Sequence, residues 1–177
     1  MRLNFTVDGI QHNITVNADK PLNRIIEELV PSFAISSGCK NASCGNCMVL
    51  VNGNAALSCL IPAFRANGAS VLTYSGFRKT RFCHAIERAY AETGTRPCEQ
   101  CYAAKTLLIG SLLSRYDQTR TILDMNRTQD NKQNLSIYDQ NYLAREFGIV
   151  SCKCVDVGQL AQVVELAYTF RRRQSGR

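Results

Sequence analysis

The run Ser37-Gly38-Cys39-Lys40-Asn41-Ala42-Ser43-Cys44-Gly45-Asn46-Cys47 sets three thiols at the spacing C-x4-C-x2-C, and Cys59 follows after eleven residues. This is the ligand spacing of a plant-type [2Fe–2S] centre. A rhomb of two irons and two sulfides needs four thiolates arriving from more than one side. A tight loop supplies three of them and leaves its backbone N–H groups directed at sulfur, where they stabilise added negative charge. Small residues, Gly38 and Gly45 above all, let the backbone come close to such a cluster. Zinc is the competing occupant. It favours paired knuckles of C-x2–4-C, which this run does not make.

Two further pairs lie downstream, Cys98-Glu99-Gln100-Cys101 and Cys152-Lys153-Cys154. C-x2-C by itself fits a cluster, a zinc ion or a redox dithiol. Both pairs flank predicted helix ends, and a helix N-terminus favours an anionic cluster. Nine cysteines in 177 residues, with no apolar run of a secretory signal after Met1, point to a reducing, cytoplasmic setting where metal ligation outweighs disulfides. The eight residues Cys39, Cys44, Cys47, Cys59, Cys98, Cys101, Cys152 and Cys154 are the candidate metal ligands.

The two halves of the chain differ in periodicity. Leu3, Phe5 and Val7 alternate with polar residues, Asp8-Gly9 is a hairpin turn, and Ile10, His12, Ile14 and Val16 make a return strand. Leu22, Ile25, Ile26 and Leu29 form one stripe of a helix opened by Pro21. Met48–Val51 reads as a strand, Asn52-Gly53 turns it into Ala55–Leu60, and Val71–Tyr74 closes the sheet. These elements predict an α+β unit over residues 1–75. Residues 76–170 read as helices. The first carries Phe82, Ala85, Ile86, Ala89 and Tyr90 and stops at Gly94. Three more follow at Tyr102–Arg115, at Tyr138–Phe147 and around Leu160, Val163, Val164 and Ala167. Thr119–Asn134 is polar and unpatterned, so it reads as a loop or insertion. Residues 171–177 read as a disordered basic tail.

Taken together, the plant-type loop, the fourth cysteine after a short turn, and C-x2-C followed by C-x-C in a helical half resemble the iron–sulfur subunit of the molybdenum hydroxylases. These are enzymes of the xanthine dehydrogenase and carbon monoxide dehydrogenase type. The stretch from Gly38 through Asn52-Gly53 to Leu57-Ser58-Cys59-Leu60 carries the resemblance most closely. It implies a β-grasp ferredoxin domain followed by a four-helix bundle, with two [2Fe–2S] clusters. It implies partners as well, a large molybdenum–pterin (molybdopterin) subunit and an FAD subunit. Electrons would pass from molybdenum to the Cys98/Cys101/Cys152/Cys154 centre, then to the Cys39/Cys44/Cys47/Cys59 centre, then to flavin. The chain departs from the family at Pro97, where the usual residue is a pterin-contacting Gln, and at Ala42, where Gly is usual.

Charge and composition exclude other classes. The formal charge is +7, but each oxidised cluster with its four thiolates carries about −2, which leaves about +3. The excess does not call for nucleic acid. No apolar stretch is long enough to cross a bilayer. No paired carboxylates, Ser/His/Asp set or Gly-rich phosphate loop appears, so no catalytic residue is expected. Cys83 reads as a small buried hydrophobe, and His12 and His84 as isolated. A standalone two-cluster ferredoxin and a zinc-stabilised interaction module are the remaining readings.

Overall fold

A computed structural model of the chain describes residues 1–30, 39, 42–125 and 140–175, without the side chains of 119–125 and 174–175. Asp8 and Gly9 both take positive φ (51° and 84°), which matches the twist of a two-residue hairpin. β1 (Arg2–Val7) therefore folds back on β2 (Ile10–Thr15), with Leu3 opposite Ile14 and Phe5 opposite His12. Leu3, Phe5 and Val7 are buried on one face, whereas Ile10 at the sheet edge is exposed. α1 (Leu22–Leu29) lays Leu22, Ile25 and Ile26 over that face.

β3 (Met48–Val51) and β4 (Asn54–Leu57) form a second hairpin. β5 (Ser70–Leu72) then inserts between the hairpins, parallel to β1 and antiparallel to β3. The mixed sheet runs β2-β1-β5-β3-β4. The run Met-Val-Leu-Val in β3 is apolar without alternation because both faces are covered. Val49 packs with α1, while Met48 and Leu50 join the core of the helical half.

That second core is built on four helices of more than one turn. α2 (Tyr74–Phe77) is a single turn capped by Thr73. α3 (Arg81–Thr93) is capped by Thr80 and ends at Gly94 in the left-handed region. α4 (Glu99–Met125), α5 (Gln140–Phe147) and α6 (Val157–Ser175) complete the set. α4 is the helix that packs against β3 and β4. Its Ser111 Oγ accepts a bond of 2.9 Å from the Ala55 N–H of β4, and Leu107 and Leu108 pack in the helical core. The architecture is α+β. Among the described residues no helix is long and apolar enough to cross a membrane.

Several boundaries differ from the sequence reading. β4 stops at Leu57, and Ser58–Leu60 is a 3-10 turn. The buried Ser58 bonds the Cys47 carbonyl through both its N–H (3.1 Å) and its hydroxyl (2.6 Å), which turns the chain out of the ladder. Tyr74 belongs to α2, not to the closing strand, because the Thr73 hydroxyl caps that helix. α4 begins at Glu99 and runs through Thr119 to Met125, where a loop was expected; no Gly or Pro interrupts 111–125. The remainder of Thr119–Asn134 lies outside the described residues. Arg171–Arg173 continue α6 instead of forming a disordered tail. Arg171 is fixed by an ion pair to Asp117 (2.5 Å) and by stacking over Phe82, 3.5 Å from the ring centroid.

Gly110 of α4 is the place where the helix meets Phe77 of α2. A Cβ there would run into Phe77 Cζ and lie 3.0 Å from Cε2. Gly110→Val is expected to cost about 2 kcal/mol of stability by overpacking, read as a lower urea midpoint. An unchanged midpoint would contradict this packing of α4 on α2.

Candidate metal centres

The first cysteine loop is held by its own backbone. Ala42 and Gly45 both take positive φ (56° and 77°), which curls the chain so that N–H groups face sulfur. The Cys44 N–H points at Cys39 Sγ (3.4 Å), and the Asn46 N–H at Cys44 Sγ (3.4 Å). The turn after β4 brings Cys59 Sγ to 3.2 Å from Cys47 Sγ. Cys47 is buried, and Cys39, Cys44 and Cys59 are half-buried. Burial pushes the Cys59 thiol up to about 12, helped by the hydrogen bond to Cys47 and by the charges of Cys47, Cys39 and Cys44. Cys44 is raised as well, by burial first, against the lowering effect of the Asn46 N–H. Raised thiols mean that binding an electrophilic metal displaces protons. Gly38 lies outside the described residues.

The second set closes around the start of α4. Cys98 stands just before that helix and Cys101 sits in its first turn, while Cys152 and Cys154 lie on the segment leading into α6. All four sulfur atoms are within 4.8 Å of one another. Cys98 Sγ is 3.5 Å from both Cys101 and Cys152, and Cys101 Sγ is 3.3 Å from Cys154. The Cys98 N–H reaches Cys154 Sγ at 3.3 Å. Cys101 is raised by burial and by its sulfur neighbours. Cys154 is also desolvated, but the Cys98 N–H and the surrounding thiols outweigh that and lower it to about 6. One cation is added that the sequence reading passed over. Lys105, four residues after Cys101 and so on the same face of α4, places Nζ 3.8 Å from Cys154 Sγ.

The two sets are physically joined. The Cys44 carbonyl accepts the Ser151 N–H at 3.2 Å and the Ser151 hydroxyl at 3.3 Å, and Ser151 is bonded to Cys152. Above this contact Gly45 meets the backbone of the other half. A Cβ at Gly45 would collide with Ile149 O and sit 2.7 Å from Val150 Cα. Gly45 makes room for the 149–150 backbone. Neither Ser151 nor Ile149 carries a sequence signal of its own beyond adjacency to Cys152.

Cys83 is buried on α3, and burial lifts its thiol to about 12, as suits a core residue. His84 faces Glu87 at 3.5 Å on the surface of α3, and His12 packs near Phe5. Among the described residues, none of the nine cysteines is joined in a disulfide. The four-sulfur group of Cys98, Cys101, Cys152 and Cys154, and the cysteine loop whose N–H groups are aimed at sulfur, fit anionic iron–sulfur clusters. Thiolate supplies the soft ligand, and the amides and Lys105 offset the negative charge.

Residues 3–82 match the family described as "2Fe-2S iron-sulfur cluster binding domain". The aldehyde oxidoreductase of Megalodesulfovibrio gigas is 28% identical over 98 residues, covering 55% of this chain and 11% of that much longer protein. The xanthine dehydrogenase iron-sulfur-binding subunit of Escherichia coli O157:H7 is 28% identical over 123 residues, covering 69% of this chain and 77% of that one. In fold, the chain resembles a chain of quinoline 2-oxidoreductase from Pseudomonas putida 86, with a TM-score of 0.69 and 19% identity over 98% of this chain and 96% of that one.

Gly45→Ala is expected to lower stability by roughly 2 kcal/mol, from the left-handed backbone plus the clash with Ile149. It should also raise amide exchange at Ser151, whose N–H loses its carbonyl. Unchanged protection at Ser151 would contradict the contact.

Proposed function

We propose that this chain is an iron–sulfur subunit of the molybdenum hydroxylase family and the electron-relay subunit of a multisubunit oxidoreductase, a reading supported by the family match and by the similarity to such subunits. Cys39, Cys44, Cys47 and Cys59 hold one [2Fe–2S] cluster, and Cys98, Cys101, Cys152 and Cys154 hold the other. The observation that carries this reading is the convergence of the second four sulfurs within 4.8 Å, beside a loop of plant-type spacing. Bound clusters of this kind supply reversible one-electron transfer.

The chain's own residues do the rest. Thiolates hold the metals in place. The Cys44, Asn46 and Cys98 N–H groups partly balance negative charge on sulfur. Apolar residues such as Val155, Leu160 and Phe147 line one side of the second site, and Cys154 is exposed on another. The Cys44–Ser151 hydrogen bonds give a bonded route between a cysteine of one set and the neighbour of a cysteine of the other. We read residues 1–75 as a β-grasp ferredoxin domain, supported by the central parallel pairing of β1 and β5 with α1 across the sheet. Residues 76–170 we read as a four-helix bundle, supported by the joint core of α3, α4, α5 and α6. The partners are a large molybdenum-cofactor subunit, facing the Cys98 set, and an FAD subunit, facing the Cys39 set. The complex works in the cytoplasm, and the substrate reaction belongs to the molybdenum subunit.

Protein purified under argon is expected to be red-brown with about four irons per chain. Reduction should give two electron paramagnetic resonance signals. Cys44→Ser removes one and spares the other, and Cys101→Ser does the reverse. A colourless protein holding about two zinc ions per chain, or the survival of both signals in both variants, would overturn the reading.

A further inference from the structure

Lys105 is among the largest fully buried side chains of the molecule, with 1% of its surface exposed. A buried ammonium is costly without a counter-charge. Among the described residues no carboxylate pairs with it, and its one hydrogen-bond partner is Cys154 Sγ at 3.8 Å. Its backbone is fixed inside α4, one turn beyond Cys101. The side chain thus reaches the four-sulfur group from within the helical core. Lys153, between Cys152 and Cys154, is exposed, so solvent and salt screen its charge. The charge of Lys105 is not screened in that way.

We propose that Lys105 is the counter-ion of the Cys98/Cys101/Cys152/Cys154 centre and sets its reduction potential above that of the same centre without it. This rests on the reading of those four thiols as a cluster site. Four thiolates and an oxidised [2Fe–2S] core carry about −2 in total, which supplies the partner that the protein itself does not give the ammonium. One-electron reduction adds a further negative charge next to the same fixed cation. The cation stabilises the reduced form more than the oxidised form, so the centre becomes the better electron acceptor. The cysteines alone hold the irons; Lys105 acts through them and is a positioning and tuning residue. The effect is centred on this set, because among the described residues the ammonium touches the sulfur of Cys154 and Coulomb interaction weakens with distance.

The test is a redox titration of anaerobically purified protein followed by electron paramagnetic resonance, comparing wild type with Lys105→Met, Lys105→Gln and Lys105→Arg. At the wild-type midpoint, Lys105→Met should lower the ratio of reduced to oxidised second centre at least tenfold, a fall of about 59 mV for a one-electron couple. The first centre should not move, and Lys105→Arg should return the second most of the way. If both neutral variants lose the second centre while Lys105→Arg keeps it, the charge is needed for assembly, and the proposal also stands. An unchanged midpoint, an equal shift in both centres, or loss of the second centre in all three variants would assign Lys105 a packing role and overturn it. Wild-type protein lacking the second signal would instead refute the cluster reading itself, and this proposal with it.

Discussion

The backbone contact between Cys44-Gly45 and Ile149-Val150-Ser151 is where the two halves of the molecule depend on each other. One side is a loop curled by positive φ at Ala42 and Gly45. The other is the segment that delivers Cys152. Gly45 lacks a side chain, so the two backbones can touch, and the Cys44 carbonyl then takes two hydrogen bonds from Ser151. A side chain at position 45 would push the segment away, and with it the sulfur donors of the second site. Sequence, fold and function thus meet in one glycine and one carbonyl. In the proposed relay, the contact that fixes how the halves pack also fixes the spacing between the two cysteine sets.

The rest of the architecture keeps that contact in register. β3 is apolar on both faces, with Val49 toward α1 and Met48 and Leu50 toward the helical core. α4 lies between the sheet and the other helices, tied to β4 through Ser111 and Ala55. Because Cys98 and Cys101 are at the start of α4, the helix that anchors the sheet also aims half of the second donor set. The other half comes from the turn between α5 and α6. α6 is pinned at its far end by Arg171 against Asp117 and Phe82. Both ends of the helical half therefore constrain where Cys152 and Cys154 arrive.

The parts of this arrangement that were legible in the sequence are local ones. The alternation of Leu3, Phe5 and Val7, the two hairpin turns and the stripe of α1 are short-range patterns, and the structure follows them. The C-x4-C-x2-C loop is local as well, with the Cys44 and Asn46 N–H groups turned toward sulfur. The parts that were missed depend on tertiary contacts. Cys59 leaves the strand because Ser58 bonds the Cys47 carbonyl, which no local propensity announces. The helix through Thr119–Met125 is polar, so its periodicity is faint, yet nothing in its composition breaks a helix already propagating from Glu99. Arg171–Arg173 looked like a solvated tail because charge runs usually are, but they continue α6, and Arg171 is held by Asp117 and Phe82 of distant helices. Lys105 reads as an ordinary helix lysine until the Cys154 sulfur is found beside it. A count of four residues from Cys101 could have flagged it.

The most direct test of the central claim is the magnetic interaction between the two centres in fully reduced protein. Two unpaired spins on clusters joined through Cys44 and Ser151 should split or broaden each other's resonances. The change should vanish when the same sample is poised so that one centre alone is reduced. Fully reduced spectra that equal the plain sum of two independent signals, at low temperature and across microwave frequencies, would contradict the account.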